Sequence, residues 1–204
     1  MHPVSCEVSV DALRDFRFPS FTLRGGRSVG LALPVGWGGG RDAVHVHEQL
    51  RTAAQSARLV VAPLSYLAER DVTRWERFVK TRISAIIAKV AGMSLEAARA
   101  ICERCRIPPD QLFADTQLTE RVLLDFEISA SFADIVVVQE AGMDYLGRRR
   151  LEAHVQASVH AGRFAVLVLF YPRALPPKEG DSYHPKLWTD EVFYGTNVRM
   201  ADVT

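Results

Sequence analysis

The chain has 204 residues and a mass of 22.7 kDa, with 48% hydrophobic and 24% charged side chains. That composition excludes collagen-like, mucin-like and wholly disordered chains and fits a soluble protein with one ordinary hydrophobic core. Lys and Arg number 25 against 24 Asp and Glu, so no global field of one sign points to nucleic acid, a membrane surface or a highly charged substrate.

The start of the chain, with Pro3 and the acids Glu7, Asp11 and Asp15, does not read as a secretory signal. The most apolar stretch, 164–171, is far short of the ~20 residues a membrane-spanning helix needs. Three cysteines, Cys6, Cys102 and Cys105, cannot all pair within the chain, which suggests a reducing cytoplasm, the protein's own or a host's. Residues 1–100 carry a net charge of about +5 and residues 101–204 about −4. Such a division either docks two copies head to tail or seals one half against the other.

In chain order, 6–10 alternates weakly, and 28–35 reads as a short strand that Pro34 confines to an edge or a strand end. Four glycines in five positions, 36–40, follow around Trp37. A helix is then predicted from near Asp42, which can cap it, through Val44, Leu50, Ala54 and Leu59. The clearest helical periodicity runs from Asp71 to Ala91, with Val72, Trp75, Val79, Ile83, Ile86 and Val90 on one stripe. Gly92 stops it, Ser94 caps the next helix, and Pro108-Pro109 closes that one.

The second half reads differently. Residues 121–129 alternate, with Leu124, Phe126 and Ile128 opposite Leu123, Asp125 and Glu127, as in a half-buried strand. A second strand is predicted at 135–138, a helix at 142–161, an apolar strand at 164–170 and a last strand near 192–194. The expected fold is one α+β or α/β domain spanning 1–204: a helical segment at 41–106, a β-β-α-β segment at 121–171 forming most of a mixed sheet, and a loop-rich tail at 172–204.

Several groups of residues bear on chemistry. Asp125 and Glu127 on one strand face, with Glu140 on the next strand, are two or three oxygen ligands for Mg or Mn. This segment resembles the core of the PD-(D/E)XK nuclease family, although Val138-Gln139-Glu140 is followed by Ala141 where that family carries lysine. The resemblance implies a metal-dependent nuclease. Ser94-Leu-Glu-Ala-Ala-Arg99 is similar to the active-site helix of ribosome-inactivating N-glycosidases, and that likeness implies transition-state roles for Glu96 and Arg99.

Gly38, Gly39, Gly40 and Arg41, between a strand and a helix, form a candidate anion cradle. The glycine spacing lacks the Gly-Lys-Ser/Thr of a P-loop, and Asp42 opposes an anion. Arg70, Arg74, Arg77 and Lys80, followed by a turn and a second helix, are a candidate nucleic-acid contact. Cys102 falls on an apolar helix face and reads as core, and His45 and His47 point apart on a helix.

With no convincing catalytic set, the sequence points to an oligomeric, non-enzymatic interaction or assembly protein without a cofactor. Its partner is protein, self or heterologous, met through loop aromatics, chiefly Trp37, Trp188 and Tyr194. The alternative is the metal-dependent nuclease.

Overall fold

The structure, a computed structural model, describes residues 4–10, 16–33, 39–67, 81–140, 143–161, 164–171, 189–194 and 196–197. The strands are β1 (Ser5–Val8), β2 (Phe16–Arg17), β3 (Phe21–Arg24), β4 (Ser28–Ala32), β5 (Ile135–Glu140), β6 (Ala165–Phe170), β7 (Glu191–Tyr194) and β8 (Thr196–Asn197). The helices are α1 (Gly39–Ser56), α2 (Ile83–Val90), α3 (Leu95–Arg104), α4 (Leu118–Phe132) and α5 (Tyr145–Ala161).

A parallel sheet in the order β5-β6-β4-β7 forms the centre, and β1 pairs with β3 and β2 with β8 in two small antiparallel pairs. Residues 60–62 extend the sheet beyond β5: Val61 bridges Ile135 in parallel, and Ala62 N donates to Ile135 O at 2.9 Å. The fold is therefore mixed α/β, with helices packed on a mainly parallel sheet, the second of the two classes expected.

Both faces of the sheet are covered, which is why its strands are almost uninterrupted runs of Val, Ile and Leu. Val136, Val138, Val166 and Val168 face a core shared with α2, α3, α4 and α5. Ile135, Val137, Leu167, Leu169, Val29 and Leu31 face a second core closed by α1 and the β1–β3 pair. On α1, Ala43, Val46, Leu50 and Ala54 form the buried stripe, as their three- and four-residue spacing requires. Ser94 caps α3 by accepting from Ala97 N at 3.1 Å, and Gly92 takes φ +62°, the left-handed turn that glycine supplies without strain.

Of the helix expected over Asp71–Ala91 the described part is α2, Ile83–Val90: 71–80 lie outside the described residues, and Arg82 is extended and bridges Leu112. Another predicted element is of the wrong kind. Residues 121–129 belong to the 15-residue helix α4, so the segment 121–171 is α-β-α-β. Glu120 Oε2 accepts from Gln117 N at 2.9 Å and fixes the helix start. Leu123, Leu124, Glu127 and Ile128 then share a buried stripe at helical spacing, with Phe126 also buried. A glutamate in that stripe looks like a solvent position in sequence, and reading it so turns a helical pattern into an alternating one.

Candidate functional site

The carboxyl ends of β4, β5 and β6 lie at one edge of the sheet: Ala32 and Glu140 are both level with Phe170, and Leu33 N donates to Phe170 O at 2.9 Å. The chain leaves β4 toward α1 on one face and leaves β5 toward α5 on the other. In open α/β sheets the usual ligand position is beyond the carboxyl ends of the strands, where connections leave to opposite faces. Gly39 and Gly40 are the first two residues of α1, the next described element after β4. Arg41 is exposed in the first turn and Asp42 beside it is buried. Gly38 lies outside the described residues.

Gln139 and Glu140 project to opposite faces, as successive strand residues must. Gln139 Nε2 donates to Tyr171 Oη at 3.1 Å. Burial pushes the Tyr171 phenol up and the Asp42 carboxylate adds to this, while the hydrogen bond from Gln139 opposes both. Glu140 is 4% exposed and its pKa is pushed up to about 7. Burial is the main cause; Glu152 adds to it, and the Arg148 guanidinium opposes it. Arg148 Nε stands 2.7 Å from Glu140 Oε1, near enough for an ion pair but not aligned as a hydrogen bond. A cavity of about 320 Å³ lies alongside, lined by Leu64, Ser65, Leu67, Asp125, Val138 and Gln139 among others. An open groove of about 500 Å³ sits at the other end of the sheet, where Asp190 ties the start of β7 to Ser28 N at 2.7 Å.

The acids expected to share one strand face are apart. Asp125 clips the loop before it, accepting from Ser65 Oγ at 2.5 Å, Tyr66 N at 2.8 Å and Leu67 N at 2.9 Å. Glu127, two residues on and so about 200° around the helix, turns inward to Arg104 Nε at 2.6 Å and His154 Nε2 at 2.8 Å. Neither meets Glu140, and among the described residues no three His, Cys, Asp or Glu side chains converge to hold a metal. Arg99, expected beside Glu96 in a glycosidase site, pairs instead with Asp110 at 3.3 Å.

His45 meets Gln49 Nε2 at 2.9 Å, and His47 Nε2 donates to Ala62 O at 2.7 Å. Cys6, Cys102 and Cys105 are free and buried, and burial pushes Cys102 up to about 11 and Cys105 to about 12. Tyr194 is half-buried on β7, edge-on to Phe170. Trp37, Trp188, Arg70, Arg74, Arg77 and Lys80 lie outside the described residues.

The sequence reading passed over Asp42, Gln139 and Tyr171 as site residues. Asp42 and Tyr171 are near only because β4 and β6 are neighbours, and strand order does not follow from sequence. The usable signal was the glycine run between a buried strand and a long helix.

No family model matches the chain, and no curated protein matches it. Solved structures do. CbiO1 of Clostridium perfringens, part of the ABC transporter complex CbiONQ, superposes with a TM-score of 0.62 at 8% identity, over 100% of this chain and 92% of that one. A chain from Pyrococcus furiosus named as an ABC transporter ATP-binding protein gives 0.60 at 10%, over 93% and 96%. An ATP-binding cassette of an ABC transporter in its ADP conformation gives 0.59 at 9%, over 86% and 84%. At these identities the likeness is one of fold.

That fold corrects the functional expectations. A purely structural, non-enzymatic assembly role does not match an architecture shared with ATP-binding subunits, and the nuclease alternative loses both this fold comparison and its acid cluster. The expectation of no cofactor, with Mg or Mn only for a nuclease, gives way to a nucleotide reading on the same ground. Among the described residues, no helix is long and apolar enough to cross a membrane.

Proposed function

We propose that the chain is a nucleotide-binding subunit of a transporter-type assembly. It holds ATP or ADP at the carboxyl edge of its sheet and works in the cytoplasm beside a membrane-integral protein partner. The observation that carries this reading is the start of α1: Gly39 and Gly40 open this 18-residue helix, which is the next described element after the central parallel strand β4, within a fold similar to that of an ATP-binding cassette. Unpaired amides and the positive end of a helix dipole favour a phosphate there. Arg41, exposed in the first turn, adds the cation that the run of glycines lacks. Glu140, with a pKa near 7 at the end of β5, two strands from β4, exchanges a proton near neutral pH, the property a hydrolytic base needs.

A fluorescent ATP analogue titrated into the protein tests the reading. Saturable binding displaced by unlabelled ATP is expected, and Arg41→Ala weakens it about tenfold, the loss of one charge-assisted contact of about 1.4 kcal/mol. Arg41 is exposed, so the fold is unaffected. No binding at millimolar nucleotide, or equal binding by the variant, contradicts it.

A further inference from the structure

The Glu140 side chain is 1% exposed, and among the described residues neither of its oxygens accepts a hydrogen bond. A carboxylate so placed has neither water nor a donor to steady its charge, and buried polar groups are seldom left in that state. Among the described residues the charged groups acting on it are two, both on α5. Arg148, whose Nε stands 2.7 Å from Oε1, favours the ionised form, and Glu152, about one turn further on, disfavours it. Glu152 is itself drawn to Arg149, 3.6 Å away.

The backbone beside Arg148 is held on two sides. Asp144 Oδ1 accepts from Gly147 N at 2.6 Å, and Gly147 lies so close to Thr119 of α4 that a Cβ there would run into the threonine hydroxyl. Arg148 is the next residue, so the contact between α4 and α5 sets where its guanidinium stands relative to the end of β5.

We propose, on the reading above of Glu140 as the base of a nucleotide-hydrolysing site, that Arg148 is a positioning residue whose guanidinium keeps the Glu140 carboxylate ionised inside the fold. In that step Glu140 accepts a proton from water while the water oxygen bonds the terminal phosphorus. The bond from phosphorus to the bridging oxygen breaks, ADP leaves with the electron pair, inorganic phosphate is released, and the proton passes on to solvent. A neutral carboxylic acid cannot take that proton. Arg148 therefore acts on the rate through Glu140, without touching the nucleotide.

The test follows Glu140 in two ways. Carbon-13 NMR of labelled glutamate carboxyls, with the Glu140 signal assigned from Glu140→Gln, reads its titration in the nucleotide-free chain. Phosphate release from ATP across the same pH range reads its action. Arg148→Met keeps the apolar stem and should raise the titration midpoint by at least about one pH unit. The acid limb of the rate profile should move with it, so that the rate falls about tenfold at pH 6 and stays within about twofold of the wild type at pH 9. Arg148→Lys, which keeps the charge, should cancel most of the shift. Arg149→Met should leave the midpoint in place, because Arg149 is turned to Glu152 and solvent. The Arg148 side chain is 35% exposed, so the fold tolerates these changes. An unchanged midpoint in Arg148→Met, or a rate lowered equally at every pH, overturns the inference and leaves the nucleotide reading intact. A wild-type chain that releases no phosphate at any pH removes Glu140 from the role of base, and this inference with it.

Discussion

Glu140 is legible in the sequence as an acid closing an apolar strand, but its environment is not. The fold buries it beside Arg148 on α5, and burial outweighs the ion pair, leaving its pKa at about 7 against an ordinary 4.5. For an acid the sign is unfavourable to the charged form: the native state is unpenalised below the unfolded pKa and loses stability as pH rises toward the folded one. At about 1.4 kcal/mol per pH unit the full loss is on the order of 3 kcal/mol, complete a little above pH 7. Glu140→Gln keeps the shape and removes the charge. Its melting temperature should therefore gain on the wild type as pH goes from 5 to 8, and an equal difference at the two pH values would show that Glu140 is not buried as described.

Among the elements, α4 separates what the sequence shows from what it conceals. Its neighbours β5, α5 and β6 were all visible from periodicity and apolar runs, within a few residues of their ends. The helix itself was mistaken for a strand because Glu127 occupies its buried stripe. Glu127 belongs there as the hub of three helices: Arg104 of α3 and His154 of α5 both donate to it, with Ser158 Oγ at 3.4 Å. Burial alone would raise its pKa, yet the bonds from His154 and Arg104 outweigh that and hold it below the usual carboxylate value. Those partners come from distant parts of the chain, so nothing local announces them. Glu127→Ala removes the shared acceptor and leaves Arg104 and His154 facing an apolar core. A loss of about 2–3 kcal/mol in urea unfolding is expected, below the range for a fully buried pair because Arg104 is half-exposed. Unchanged stability would mean that the three helices are held by apolar packing alone.

At the level of the whole molecule, a parallel sheet covered on both faces by helices follows from its apolar strands, and the sequence carries that much. The place of β4 in the strand order β5-β6-β4-β7 depends on contacts between residues more than a hundred positions apart, and it alone brings the end of β4 to the same edge as Gln139 and Tyr171. The glycines were visible as a candidate cradle, and the departure from the P-loop pattern was visible too. What the fold adds is the place of Gly39 and Gly40, which open α1. Hydrogen–deuterium exchange on the full chain, with and without saturating ATP, tests that placement directly. Slower exchange over 39–43 and 139–140, with the amides around Glu127 and His154 unchanged, is the predicted result; protection confined to the groove near Asp190, or no protection at all, would contradict it.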